Sequence, residues 1–474
     1  MNLDTFMLMR DEIVLTAILL ILLVAEILWS PKNKKGLIYL GLLLFAGYTV
    51  QSFFHIDTGS LFGGSFQAYP LVNFFKASLA FGVMVILLQS VEWIKRKLLP
   101  YDFSAEFFML IFASLLGINF MVSAGDFLIF YIGLELATLP IIALTAFEFF
   151  NHRSVEAGVK YILLASVSSA ILLFGVSLVY ATAGSIFFAD IKGALELPLL
   201  EIIGLVMIFV GIAFKISLVP FHFWAADVYE GAPTVVSNYL SVISKAGAVY
   251  VLMTLLFVTF RLFETEWNWI MYGAAILTMF VGNIFALRQQ NMKRFLAFSS
   301  IAQAGFILLA MLSNNQLGVT AIIYFLLIYI FSNIAAFGVV HVISLETGKE
   351  NIDDYNGLYS SNPKLSLALM IALFSLAGIP PVAGFFAKFF LYAAAASKGY
   401  YVLIFIAVLN VTISLYYYLL PIRAAFLRRS DHPIPYFKTD IFSKIAFVIV
   451  MIGLMVLGVY SGVFSYISSI SNIF

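Results

Sequence analysis

The sequence predicts an all-α polytopic membrane protein with about fourteen transmembrane helices, and three observations predict it. Apolar residues make up 63% of the 474-residue chain and charged residues only 11%, where soluble domains carry about 25% charged residues. Apolar runs of roughly 20 residues, the length that crosses a bilayer core, recur from one end to the other. Lysine and arginine then gather on alternate connections between those runs, as topology-setting charges do.

The first run, near 13–29, follows MNLDTFMLMRDE. That start lacks the basic character of a secretory signal, so the run is expected to stay as a span. Runs near 37–54 and 72–93 complete an N-terminal group of three. Next come 104–122, 127–146, 157–182, 200–220 and 234–260, then 268–288, 296–312, 318–344, 365–395 and 400–422, with a last run near 443–468. The expected division is therefore 1–100 for three helices, 101–262 and 263–425 for two five-helix repeats, and 426–474 for a C-terminal helix. No connection is long enough to be a soluble domain.

With the N-terminus outside, the inner connections hold 17 lysines and arginines and the outer ones four, Arg10, Lys192, Arg261 and Lys398. Cytoplasmic loops carry the positive excess. Both termini are thus expected on the outer side, and the alternation supports the count of fourteen.

Five lysines fall inside the runs: Lys76, Lys160, Lys215, Lys245 and Lys388. Lys76 and Lys160 lie near span ends, where a long side chain can reach the headgroups. Lys160 also follows Glu156 by one turn, a spacing that allows an ion pair. Lys215, Lys245 and Lys388 lie deeper, as does Glu135 in FLIFYIGLELATLP. Each central charge costs at least about 2.5–3.5 kcal/mol on insertion scales, so the four together cost on the order of 10 kcal/mol unless paired or hydrated. A buried Glu–Lys tie that fixes packing is one explanation, but one glutamate cannot neutralise three lysines. A chain of groups that exchange protons is the sharper one.

Two of these lysines sit beside prolines. In GIAFKISLVPFHFW (211–224), Pro220 has no N–H, so the carbonyl of Ile216, next to Lys215, loses its helical partner. In SLAGIPPVAGFFAKFF (375–390), Pro380 and Pro381 free the carbonyls of Leu376 and Ala377. Lys388 follows two turns later on one face. Irregular backbone at membrane depth survives only inside protein or along water, so both breaks are expected where water meets a lysine. The broken spans, the seventh and twelfth, lie five apart and so cross in opposite directions. That is the arithmetic of an inverted repeat, spans 4–8 against 9–13.

The stretch SLVPFHFWAADVYEGAPTVVSNYLSVISK (217–245) closely resembles the antiporter-like membrane subunits of respiratory complex I, and its DVYEGAP wording is nearer the N-type subunit than the L and M types. GDFLIFYIGLELATLP (125–140), VEAGVKYILLASVSSAILLFGVSLVYATAGS (155–185), RFLAFSSIAQAGF (294–306), SLAGIPPVAGFFAKF (375–389) and NVTISLYYYLLPIR (410–423) match in the same order. The resemblance covers roughly 100–425. It implies a proton-translocating subunit of a bacterial NADH:quinone oxidoreductase, in the inner membrane, with other membrane subunits as partners. It implies Glu135, Lys215, Lys245 and Lys388 as the proton relay and a less defined part for Lys160. His222, at the inner end of the seventh span, matches a family histidine that could pass protons from the cytoplasm or simply pack. The resemblance also implies no cofactor in this chain: NADH, FMN, iron–sulfur clusters and quinone belong to partner subunits. The chain has no cysteine to hold a cluster of its own.

Three positions depart from the family's pattern: Ala226 for proline, Gln303 for histidine and Ala387 for glycine. Glutamine cannot titrate, so a proton-carrying role at Gln303 is absent or dispensable here. A multi-subunit sodium/proton antiporter or a membrane-bound hydrogenase subunit shares the fold and is the alternative reading. A lone solute carrier would need a central polar pocket, where the sequence offers lysines in line. His341 reads as a packed core histidine. The glycine-rich GSLFGGSF (59–66) reads as an outer loop and lacks the P-loop pattern.

Overall fold

The computed structural model describes residues 6–29, 34–55, 57–194, 198–430 and 433–471. Lys32, one of the topology charges, lies outside them. Helices occupy each of the fourteen expected stretches: α1 (Arg10–Leu28), α2 (Lys35–Ser52), α3 (Pro70–Trp93), α4 (Ser104–Val122), α5 (Phe127–Thr145), α6 (His152–Ala183) and α7 (Pro198–Ile216) come first. After the break at 217–222 come α8 (Phe223–Gly231), α9 (Thr234–Thr259), α10 (Glu264–Ala286), α11 (Met292–Met311) and α12 (Gln316–Thr347). The twelfth span is two pieces, α13 (Pro363–Ala377) and α14 (Ala383–Ala396), followed by α15 (Tyr401–Phe426), α16 (Ile441–Val459) and α17 (Gly462–Ile470). Among the described residues, 11 helices are long and apolar enough on their own to cross a membrane. The chain is an all-α polytopic membrane protein.

It divides into two compact units. One holds the residues through Lys215 together with 243–267; the other holds 216–242 and 268–472. The boundary therefore falls at the seventh-span break and again inside α9.

In the first unit α4 and α5 approach to backbone contact. A Cβ on Gly117 would lie 2.7 Å from the Gly133 carbonyl oxygen, and one on Gly133 would lie 2.8 Å from that of Gly117. Without a hydrophobic drive between helices in lipid, such small-residue contacts hold spans together. The Ser114 hydroxyl adds a 2.8 Å bond to the Ala137 carbonyl. This seam fixes the face of α5 that carries Glu135 and Thr138. The side chain of Asp126 caps α5 by accepting from the Ile129 N–H at 2.7 Å, satisfying one of the orphan donors of the first turn.

The second unit is built around α11 and α12, which are buried along nearly their whole length. A helix apolar on all sides belongs in such a core. α12 packs against both halves of the broken span, α13 and α14, and α8 packs on α11.

The glycine-rich stretch expected as a plain loop is a small antiparallel hairpin, with Gly59 opposite Ala68, Ser60 opposite Gln67 and Leu61 opposite Phe66. Gly63 and Gly64 turn it at φ of 68° and 106°, a left-handed region that glycine enters without a Cβ penalty.

Candidate functional site

α7 ends at Ile216, and Ser217 takes a φ of 64°, uncommon for a residue with a Cβ. Lys215 is therefore the penultimate residue of a helix that stops short, and its side chain is buried. Its ammonium does not pair with Glu135. Nζ instead donates to the Thr138 hydroxyl at 2.6 Å. That hydroxyl spends its own hydrogen on the Leu134 carbonyl, also at 2.6 Å, so its lone pair is free to accept. The rings of Tyr161 and Phe214 each lie 5.9 Å from Nζ, within reach of a cation–π attraction. Glu135, one turn before Thr138, has its Oε1 buried without a hydrogen-bond partner. The sequence left a fixed Glu–Lys tie as the weaker of two explanations; the lysine is held instead on a hydroxyl one turn past Glu135 on the same helix.

Lys245 is 2% exposed. It opens the second α-helical stretch of α9, directly after a π-helical turn, Leu240–Ser244. Such single π turns recur at functional positions. The residues that follow pack on α3 and α4: Tyr250 stacks on Phe75 at 4.8 Å, and Gly247 lies against Ile118. Lys160 lies on α6. It pairs with Glu156 at 2.8 Å, and both side chains are largely exposed, at 42% and 63%, as the one-turn spacing suggested.

The second unit holds Lys388. Its Nζ donates to the carbonyls of Leu376 at 2.8 Å and Ala377 at 3.1 Å. These are the two acceptors that Pro380 and Pro381 were expected to free. Gly378, at φ 86°, ends α13 in the left-handed conformation common at helix C-termini; a Cβ there would lie 3.0 Å from Lys388 Cδ. The lysine itself takes both carbonyls.

A polar chain leads away from this point. Gln303 Nε2 donates to the Leu376 carbonyl at 2.9 Å and to the Tyr418 hydroxyl at 3.0 Å, and Ser299 lies 2.6 Å from that hydroxyl. A cavity of about 10 Å³ lined by Gln303, Tyr329, Ser332, Ser375 and Lys388 has room for about one water. Gln303 thus works as a hydrogen-bond bridge. The Phe306 ring lies 4.9 Å from Nζ.

His222 is buried at the break and rests on Phe223, ring centroids 4.4 Å apart. His341 is buried in α12, as expected of a core histidine. The acids of DVYEGAP are tied up structurally. Arg294 holds Asp227 at 2.7 Å and Glu230 at 3.0 Å, which fixes α8 against the start of α11. Lys293 meets Glu350 at 3.2 Å beside them.

Lys76 corrects the sequence reading. It does not reach a headgroup; its side chain is fully buried, with Nζ 2.6 Å from Glu12 Oε1. The acids in the first turn of α1 supply the partner that keeps it inside.

The family described as NADH:quinone oxidoreductase/Mrp antiporter, TM, matches residues 124–414. A protein of Phocaeicola vulgatus named NADH-quinone oxidoreductase subunit N is 43% identical over 471 residues, 99% of each chain. The chain belongs to the subunit N family of antiporter-like complex I membrane subunits. A chain of the respiratory complex I of Thermus thermophilus, solved with bound aureothin, is 28% identical with a TM-score of 0.81, over 95% of this chain and 97% of that one. A chain of the Mrp complex from Dietzia sp. DQ12-45-1b shares the fold at a TM-score of 0.84 with 20% identity, over 99% of this chain and 97% of that one. Within the subunit N family fold, Thr138 was the residue that sequence reading missed. Its only signal was a hydroxyl three positions after Glu135.

Thr138 carries a prediction. Valine matches its shape but accepts no hydrogen bond, and a bond to a charged group is worth about 1.5–3 kcal/mol. Thr138→Val should release Lys215 toward Glu135 and slow proton uptake severalfold, while Thr138→Ser restores it. Uptake into vesicles, normalised to assembled complex, is the measurement. Equal rates for Val and parent would reduce Thr138 to a packing residue.

Proposed function

We propose that this chain moves protons across the bacterial inner membrane as the subunit N of an NADH:quinone oxidoreductase, driven by redox chemistry that partner subunits perform. The observation that carries the reading is the placement of buried lysines at helix interruptions: Lys215 at the end of α7, Lys245 after the π turn and Lys388 between α13 and α14. Intramembrane ionisable groups are functional by default because they are costly to bury. Irregular backbone beside them supplies acceptors that a regular helix would keep for itself.

In this reading Glu135 and Thr138 compete for the Lys215 ammonium. With Glu135 the lysine keeps its proton; on the Thr138 hydroxyl it lacks a counter-charge and gives the proton up toward Lys245. Lys388 is the exit group. It holds a proton against the carbonyls of Leu376 and Ala377 and releases it through the small cavity beside Gln303. His222 is assigned to entry and Lys160 to the periphery of the path. The two five-helix repeats, 101–262 and 263–425, are assigned as inverted copies between the N-terminal helices of 1–100 and the C-terminal span of 426–474. Both termini are placed on the periplasmic side, and NADH, FMN, iron–sulfur clusters and quinone in partner subunits.

Deleting the chain tests the assignment. Membrane vesicles from the deletion strain should lose NADH-driven proton uptake while keeping ATP-driven uptake, and re-expression should restore it. Retained NADH-driven uptake with lost sodium/proton exchange would favour the antiporter alternative.

A further inference from the structure

A cleft that the relay does not use opens in the first unit where four helix ends meet. α3 stops at Trp93 and passes through a π turn, Ile94–Leu98, and a 3₁₀ turn, Leu99–Tyr101, before α4 starts at Ser104. α5 ends at Thr145 and α6 begins at His152. Trp93 Nε1 donates to Glu148 Oε1 at 2.8 Å, which joins the two connections at one level. Spans that turn back together mark the membrane–water boundary, and the basic run Lys95, Arg96, Lys97 with Tyr101 is of the kind found there. The cleft holds about 330 Å³, within the size range of small-ligand sites. Tyr101, Phe103, Phe147 and Phe149 wall it, and Lys97 and Glu148 supply its charges.

We propose that this cleft binds the headgroup of phosphatidylethanolamine, with Glu148 taking the ammonium and Lys97 the phosphate. The physical basis is unmet charge. A carboxylate accepts at both oxygens; Trp93 occupies Oε1 of Glu148, and Oε2 accepts from no described group. Lys97 makes no hydrogen bond or ion pair among the described residues. Its neighbours are committed elsewhere: Arg96 takes Glu92 at 2.7 Å, and Lys34 takes Glu26 at 2.7 Å and Asp102 at 3.6 Å. One anion and one cation therefore line the same cleft without pairing with each other, as the two ends of a zwitterion require.

The walls narrow the choice of headgroup. Phe149 meets Tyr101 at 5.9 Å and Phe103 at 5.7 Å, both edge-on, and Phe103 meets Phe147 at 6.2 Å. Ring faces beside a carboxylate attract a cation. A wholly anionic headgroup would satisfy Lys97 but set a like charge beside Glu148. A trimethylammonium would suit the rings yet donate nothing to Oε2, whereas a primary ammonium carries three donors. Asn151 adds to the phosphate end of the cleft: its side-chain oxygen caps α6 on the Arg153 N–H at 3.1 Å, and its amide hydrogens are left over. At the rim Phe149 and Phe150 are 46% and 71% exposed, apolar surface that acyl chains cover and a soluble amine does not.

Native mass spectrometry of the full-length chain tests the proposal, with the delipidated protein offered dioleoyl phosphatidylethanolamine, phosphatidylcholine or phosphatidylglycerol in turn. One phosphatidylethanolamine should be retained at concentrations where the other two are lost. Glu148→Gln, whose amide oxygen still accepts from Trp93, and Lys97→Gln, at an exposed position, should each weaken that retention about tenfold. Lys95→Gln, whose parent ammonium lies over Tyr39 at 5.3 Å, should leave it unchanged. Equal retention of the three lipids would overturn the proposal, as would a preference for phosphatidylglycerol or retention indifferent to both Glu148→Gln and Lys97→Gln. Should Glu148→Gln not fold, Lys97→Gln and the lipid selectivity of the parent decide. In the assembled complex, Phe150→Cys in this cysteine-free chain should react with a maleimide dissolved in the bilayer. Failure to react would put a partner subunit over the cleft in place of a lipid and overturn the proposal.

Discussion

Glu135→Gln should assemble into the complex and translocate protons severalfold more slowly than the parent, a barrier increase of about 1 kcal/mol or more. Glutamine keeps the size of the side chain and its hydrogen bonding but never carries charge. A Glu135 carboxylate attracts the Lys215 ammonium through Coulomb's law, and a neutral glutamine does not. With the Thr138 hydroxyl only one turn away, at 2.6 Å from Nζ, a neutral residue 135 leaves the lysine with no reason to leave that hydroxyl. The two-position motion that loads and empties Lys215 is then lost. Assembly should survive, because Lys215 remains hydrogen-bonded to Thr138 and glutamine keeps an oxygen that can accept from Tyr131. Proton uptake and subunit content of the purified complex are the two measurements. Normal uptake by a fully assembled variant would remove Glu135 from the relay. Failed assembly would show it to be a packing tie.

Lys388→Arg should assemble and still translocate poorly, much like Lys388→Met. The geometry sharpens this contrast. Lys388 sits at the C-terminal end of α13 and donates to its last carbonyls, where a fixed cation is favourable in its own right. Arginine supplies that cation, and its fork suits two adjacent acceptors. What arginine cannot do is release its proton, since its pKa exceeds about 12. If Lys388 merely staples the broken span, arginine should restore function and methionine should not. If Lys388 is a carrier, both should be slow, with Lys388→Arg the more stable of the two. The expected loss is again severalfold, about 1 kcal/mol of barrier or more.

How much of this was legible follows from the range of each interaction. The broken twelfth span was readable down to its atoms: proline frees the carbonyl four residues back, and Lys388 meets those same carbonyls, of Leu376 and Ala377. That is local arithmetic, 11 and 12 residues apart. The seventh-span break was equally readable, but the partner of Lys215 was not, because Thr138 lies 77 residues away on another helix. Lys76 failed for the same reason. Its partner Glu12 is 64 residues distant, and a lysine near a span end gives the same sequence signal whether it snorkels or pairs. The length of each apolar run located each span. It is blind to the π turn before Lys245, because a one-residue insertion in the hydrogen-bond pattern leaves composition unchanged. The hairpin at 59–68 was hidden by glycines that read as a loop, although they serve its turn.

The ratio of protons taken up to NADH oxidised, measured in the same vesicles for the parent complex and for Lys388→Met, tests the central claim most directly, since it is unaffected by how much complex each preparation contains. A relay through this chain predicts a lower ratio for Lys388→Met, with electron transfer continuing. An unchanged ratio would contradict it and leave the buried lysines as structural charges.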